Sequence, residues 1–384
     1  MVKRFLTAVT AAGLMAALPA HAEQGVTPDG VAFAQVAALD GPAAALGQGM
    51  RLGIEAAFNE ANENGGVHGR RVELTSVDDG YEPDRSLTAV RDIIEGDAHI
   101  GFIGPVGTPT SKATQPVATE ANMPFIGPFT GAGFLRAPDL TNVVNIRQTY
   151  GAETEAWIAH LVDEQGLSDI AILYQDDGFG RVGLAGVTAA MEARGMSLVA
   201  EGTYTRNTVA VKSALLKIRK ANPDAVVMVG AYKPIAEFIK LAKKMKMDPV
   251  FVNISFVGSN ALAKELGQDG DGVIISQVVP FPWDVSLPVV AEYQAAIKAV
   301  DPAAEPDFVS LEGYITGRVA LHALESVGPE LTREAYLAAL GNLGTLDFGG
   351  VTLTYGPGDN QGSDSVFLTK IMTGGAFESI DRGL

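Results

Sequence analysis

Three stretches of the chain concentrate Gly, Pro, Ser and Thr, at residues 40–47, 104–111 and 127–133. Glycine lets a backbone approach a ligand closely. Threonine hydroxyls, with the free N–H groups of a helix start, can hold an anion such as a carboxylate. Chemistry of this kind binds rather than breaks bonds. Residues suited to catalysis are sparse. Histidines at 21, 68, 99, 160 and 322 have no i, i+4 partner among themselves, and the chain has no cysteine, so no metal-ligand set is visible. Neither a G-x-S-x-G elbow nor a P-loop lysine motif occurs. Residues 178–183 read G-F-G-R-V-G and match the dinucleotide fingerprint letter for letter. Phe179 would crowd a pyrophosphate there, and only Glu201 stands as a ribose anchor, so the match reads as coincidence. No enzymatic activity, metal or cofactor is expected.

The elements that must carry these stretches alternate. Short β-rich runs at 31–39, 72–77, 100–103, 124–126 and 143–146 are separated by helical spacing at 47–64, 84–95 and 111–121. The pattern restarts with a helix at 150–165, then strands at 170–174, 197–204, 225–230 and 250–253, with helices at 178–194, 209–221 and 234–245 between them. Such alternation predicts parallel sheets covered by helices on both faces. A chain of 384 residues exceeds the usual single domain, so two doubly wound α/β lobes are expected. No long Gly/Ser-rich or Pro-rich linker separates them, which predicts a hinge of several short crossovers. Helices at 288–300, 309–327 and 333–343 are expected to return to lobe one, and strands at 351–355 and 366–372 to cross to lobe two. Lobe one then spans 23–147 and 279–350, and lobe two spans 148–278 and 351–384. In doubly wound folds the ligand lies beyond the carboxyl ends of the strands, where all three loops fall.

The N-terminus carries Lys3 and Arg4, an apolar run from 5 to 18, and the small-x-small pattern Ala20-His21-Ala22. Those are the parts of a secretory signal peptide with cleavage after Ala22, and the run is too short for a membrane span. Without cysteine there is neither disulfide stabilisation nor a lipidated cleavage point. The formal charge is −17, and loss of Lys3 and Arg4 makes it two units more negative. Such a surface repels nucleic acid and anionic lipid. With 47% hydrophobic residues and scattered acids, the charge signals solubility rather than disorder.

Several local motifs fall in one order along the chain. They are Leu39-Asp40-Gly41-Pro42 leading to Gly47, N-E-A-N-E-N-G-G-V-H-G at 59–69, Asp78-Asp79-Gly80-Tyr81-Glu82-Pro83, Ile103-Gly104-Pro105-Val106-Gly107-Thr108, and Phe125-Ile126-Gly127-Pro128. Asp176-Asp177-Gly178-Phe179-Gly180 and Val229-Gly230-Ala231-Tyr232 follow. In this order and spacing the chain resembles the leucine/isoleucine/valine-binding protein family, the type I periplasmic solute-binding proteins of branched-chain amino acid ABC transporters. The resemblance covers nearly the whole chain after residue 22. The physics of some motifs stands without it: Gly65-Gly66 ends the first helix, and the Asp78-Asp79 pair is placed to cap the helix near Pro83.

The resemblance implies a carboxylate grip by Thr108 and by Phe129, Thr130 and Gly131. It implies that Phe179 and Tyr232 close over the ligand from the second lobe. It also locates two departures. Ser255 stands where amino-acid binders of the family carry the acid that pairs with a ligand ammonium, and Leu46 replaces an aromatic of the first loop. Tyr81 and Gly107 stand where some members pair two cysteines. Tyr81, Arg147, Tyr150 and Glu312 are candidates to compensate. Arg147 either meets a second ligand carboxylate or forms a hinge salt bridge, and Glu312 either supplies an acid or is solvated on its helix. The expectation is a monomeric periplasmic receptor that captures a small amino-acid-like or carboxylate-bearing ligand by lobe closure. Its partners would be an ABC permease and ATPase, with no nucleic acid and no membrane insertion. The alternative is a sensing module that presents its closed form to a membrane signalling partner.

Overall fold

A computed structural model describes residues 24–380, so the expected signal peptide lies outside the described residues. The first sheet is formed by β1 (Gly30–Ala37), β2 (Arg71–Asp78), β3 (Gly101–Ile103), β4 (Phe125–Ile126) and β5 (Val143–Val144), all parallel, in the order β2-β1-β3-β4-β5. Helices α1 (Ala44–Glu63), α2 (Pro83–Gly96) and α3 (Thr108–Glu120) alternate with its strands. Side chains on β1 point alternately to two cores, as the pleat requires. Phe33 and Ala37 join one, and Ala34 and Val36 join the other with Val90, Ala118 and Phe125.

The second sheet begins after α4 (Tyr150–Ile158), whose last turn widens into a π-helix over Ala159–Glu164. Its strands are β6 (Ile170–Gln175), β7 (Ala200–Tyr204), β8 (Ala225–Val229), β9 (Val250–Asn253) and β10 (Ile274–Gln277), interleaved with α5 (Gly178–Glu192), α6 (Lys212–Ala221), α7 (Tyr232–Lys244) and α8 (Ser259–Leu266). Here too the alternation sorts side chains. Ile170 and Ile172 face the core that holds Trp157 and Phe179, while Ala171 and Leu173 face the one that holds Ile235 and Phe238.

The chain then returns to the first sheet through α9 (Pro288–Val300), α10 (Phe308–Val327) and α11 (Arg333–Leu340). Helices α1 and α10 cross at backbone contact. A Cβ on Gly53 would lie 2.0 Å from the Ser310 carbonyl oxygen, and one on Gly313 would lie 2.4 Å from that of Met50. Only glycine permits this approach, and it holds Glu312, next to Gly313, at one place.

One expectation is corrected. The strand near 351–355 does not cross to the second sheet. It is β12 (Thr352–Thr354), paired antiparallel with β11 (Thr345–Asp347). Residues 355–363 then run beside β5: Asn145 N–H donates to the Asn360 carbonyl (2.8 Å), Gly362 N–H to that of Asn145 (2.9 Å) and Ser363 N–H to that of Ile146 (3.0 Å). The open edge at β5 needs partners, and this segment supplies them before the chain leaves. The second sheet is completed by β13 (Phe367–Ile371), antiparallel to β10, and β14 (Phe377–Ser379), giving β14-β13-β10-β9-β8-β6-β7. No helix among the described residues is long and apolar enough to cross a membrane.

Candidate functional site

The loops at the carboxyl ends of the two sheets meet: Phe256 packs on Phe129 and Tyr81, and Arg206 bonds Glu82. In the first lobe the loops after β3 and β4 are zipped together. Phe129 N–H donates to the Pro105 carbonyl (2.8 Å), and Gly107 N–H to that of Phe129 (3.2 Å). Gly107, at φ +106°, turns the chain into α3, and a Cβ there would strike the Tyr81 ring at 2.3 Å. Thr108 is therefore the first residue of α3, and its hydroxyl lies 2.7 Å from that of Thr130. Both are buried. Around them lie the hydroxyls of Ser111 and Tyr150, buried and without a well-formed hydrogen bond, although Tyr150 sits beside Thr130. Burial, opposed by Arg147, pushes the Tyr150 hydroxyl up to about 12, so it stays a proton donor at neutral pH. Gly131 plays a different part. Its carbonyl accepts Tyr150 N–H (2.9 Å), and a Cβ there would strike the Tyr150 ring at 2.7 Å, so it seats that tyrosine.

The second lobe contributes an aromatic cover. Phe179 lies in the first turn of α5 rather than on a loop, held by Asp177, whose carboxylate accepts its N–H (2.9 Å). Its ring meets Tyr150 at 5.4 Å and Phe256 at 4.7 Å between centroids. Phe256 also meets Phe129 (5.4 Å) and Tyr81 (5.9 Å), and is the hub of the cluster. Spacings of 4.5–7 Å at tilted angles are those aromatic rings prefer. Tyr81 takes φ +62° after Gly80, and Gln175 donates to its hydroxyl across the cleft at 3.4 Å.

Behind the cluster lies a charged network. Arg147 donates to Glu312 twice, at 2.7 Å from Nε to Oε1 and from Nη2 to Oε2, with both side chains at most 3% exposed. Its Nη1 donates to the Ser255 hydroxyl at 2.9 Å, and its guanidinium stacks 4.1 Å above the Phe129 ring. Ser255 in turn donates through N–H and Oγ to the two oxygens of Glu153 (2.9 Å each), which Ser276 also serves. Burial disfavours charge on Arg147, but Glu312 more than offsets it and holds the guanidinium above its ordinary range. Burial raises Glu153 despite the nearby Arg147. Arg136, half-buried beside Arg147 and lowered to about 10 by desolvation and that neighbour, pins the loop by donating to the carbonyls of Thr130, Ala132 and Arg147.

The sequence-predicted residues thus divide. Thr108, Phe129, Thr130, Tyr81, Tyr150 and Phe179 converge, and Ser255 joins them through Arg147. Tyr232 and Leu46 do not enter the cluster. Both lie against Gly258, where a Cβ would meet Leu46 Cδ2 at 2.6 Å and Tyr232 Cδ1 at 3.8 Å. The Tyr232 hydroxyl accepts Ala45 N–H at 3.4 Å, and Leu46 sits in the first turn of α1. Glu312 is not solvated: the glycine contact with α1 presses its face of α10 inward onto Arg147. Asp78 and Asp79 do not cap α2, whose N-cap is Glu82. Asp78 accepts the N–H groups of Leu39, Asp40 and Gly80, and Asp79 that of Tyr81. Phe256 and Glu153 are additions. Phe256 follows Ser255 in the loop after β9, and Glu153 lies one helical turn beyond Tyr150, on the same face of α4. The second and third glycines of G-F-G-R-V-G have packing roles: a Cβ on Gly180 would lie 1.9 Å from the Gln175 carbonyl oxygen, and one on Gly183 would lie 2.5 Å from Val229.

Residues 30–376 match the family model described as periplasmic binding protein. The chain belongs to that family. This periplasmic binding protein is 25% identical over 376 residues to the Leu/Ile/Val-binding protein BraC3 of Rhizobium johnstonii, covering 96% of this chain and 97% of the relative. Among solved structures it resembles a possible leucine/isoleucine/valine-binding protein from Rhodopirellula baltica, at 37% identity and TM-score 0.87, covering 92% of this chain and 96% of that one. A substrate-binding periplasmic protein from Ralstonia solanacearum follows at 27% identity and TM-score 0.85, covering 91% and 99%. The fold is therefore the type I periplasmic binding protein fold of the leucine/isoleucine/valine-binding class, and the relatives are solute-binding proteins.

Proposed function

We propose that this protein is an exported, monomeric receptor that captures a small carboxylate-bearing solute between its lobes and delivers it to an ABC importer. The observation that carries the reading is the Thr108–Thr130 hydroxyl pair at the start of α3, next to Phe129 and Tyr150, on which Phe256 and Phe179 of the other lobe pack. Hydroxyls and the free N–H groups of a helix start suit a carboxylate, and aromatic rings suit an apolar body. The relatives are named for leucine, isoleucine and valine, all carboxylates, which supports the same class. In this reading the lobes hinge at crossings near residues 147, 279 and 363, the leader is cleaved after Ala22, and the closed form is what a permease recognises.

The test is equilibrium binding of small carboxylates to ligand-free protein, with Thr108→Val as the probe of the grip. Val keeps the shape of Thr and removes the hydroxyl. Losing one hydrogen bond to a charged group should weaken binding by roughly tenfold or more while the melting temperature of the free protein changes little. An unchanged affinity would remove Thr108 from the grip.

A further inference from the structure

We propose that the cleft selects carboxylates that carry no ammonium group, because Arg147 occupies the inner end of the cleft and every acid around it is already taken. This rests on the reading that the cleft takes a carboxylate-bearing solute, and it narrows that class.

The acids surrounding the aromatic cluster can be followed one by one. Glu312 gives both oxygens to Arg147. Glu153 accepts from Ser255 N–H, Ser255 Oγ and Ser276 Oγ. Asp79 accepts Tyr81 N–H and the Ser86 hydroxyl. Asp177 accepts Phe179 N–H, Gln175 and Arg206, and Glu82 accepts Arg206 and Asn207. An ammonium entering among these rings would have to break one of those sets to find a counter-charge.

The cation is the other half of the argument. A guanidinium has five N–H donors, and Arg147 spends three, two on Glu312 and one on Ser255. It lies over Phe129, the neighbour of Thr130, so two unspent N–H donors and no unclaimed acceptor stand behind the hydroxyl pair. A carboxylate can accept from such donors, whereas an ammonium finds no acceptor that is not already bonded. Ser255 cannot reverse the sign: its hydroxyl accepts from Arg147 and donates to Glu153, so it links the two charges and adds none of its own.

The experiment compares matched pairs on the full-length protein after removal of leader and co-purified solute: L-leucine against 4-methylpentanoate, and L-phenylalanine against 3-phenylpropanoate, by titration calorimetry. Within a pair the molecules differ only in the ammonium. The expected result is that the plain acid of at least one pair binds and its amino acid is weaker by at least about tenfold. An amino acid that binds as tightly as its plain acid, or tighter, overturns this inference and leaves the capture of a carboxylate standing. If neither member of either pair binds, both fall. A double variant, Arg147→Gln with Glu312→Gln, keeps a hydrogen-bonded pair and removes the charge. Its discrimination should shrink to within about threefold, and full retention would overturn the role of Arg147. The comparison in the unaltered protein is decisive whether or not the double variant folds.

Discussion

At the inner end of the cleft, Arg147, Glu312, Ser255 and Glu153 join the lobes through bonds that water does not reach. At its mouth, Arg206 also joins them, donating to Glu82 (2.8 Å) and Asp177 (3.0 Å) while Asn207 donates to Glu82 and to the Gly80 carbonyl, but both sides of this clasp touch solvent. The chemistry is the same, a guanidinium between carboxylates, and the setting differs. Buried charges are costly to bring together and more costly to leave unpaired, whereas exposed pairs are screened and contribute little each. In the proposed reading the inner network fixes the geometry a ligand would meet, and the mouth adjusts how readily the lobes would stay closed.

Breaking the inner side should have the largest effect. Glu312→Ala leaves a buried guanidinium without its counter-charge and should cost about 3–5 kcal/mol in chemical denaturation. A loss below about 1 kcal/mol would mean that water reaches Arg147 and that the two regions do not differ as described. Phe256→Ala removes the ring that touches Tyr81, Phe129 and Phe179, and should cost about 3 kcal/mol together with solute binding. Retained binding would place the solute away from the cluster.

Asp79 sharpens the comparison, because it is a buried acid on the mouth side. Burial pushes its carboxyl up to about 6 despite hydrogen bonds from Ser86 and Tyr81. Its folded pKa lies above the unfolded value, so the native state binds the extra proton between about pH 4 and 6. Stability from this group is thus present at low pH and lost as pH rises through that window, on the order of 3 kcal/mol. Asp79→Asn should flatten that part of the stability profile, and an unaltered profile would refute the burial argument. The smallest effect is expected for Arg206→Ala, about 0.5–1 kcal/mol. It should weaken solute binding a few-fold at low salt and make affinity less salt-dependent, as titrations at two ionic strengths would reveal.

Much of the fold was legible because it rests on period. Strand runs alternating with helical spacing described the first sheet and β6 to β9 of the second, but β10, β14 and α8 went unread because their short apolar runs carry no clear period. The strand at 352–354 was misplaced because a three-residue run says nothing about which edge it will satisfy. Thr108, Thr130 and Phe179, singled out by motif position, converge on one cluster, whereas Leu46 and Tyr232 both lie beside Gly258.

The residues themselves settled the doubled α/β class and the poverty of catalytic motifs, both of which depend on local composition and spacing. Only the tertiary structure decided that Arg147 and Glu312, 165 residues apart, form one buried pair with Ser255 beside them. That pairing depends on how closely α1 and α10 cross and on how the lobes meet. Both are properties of packing between distant segments, which no local pattern encodes.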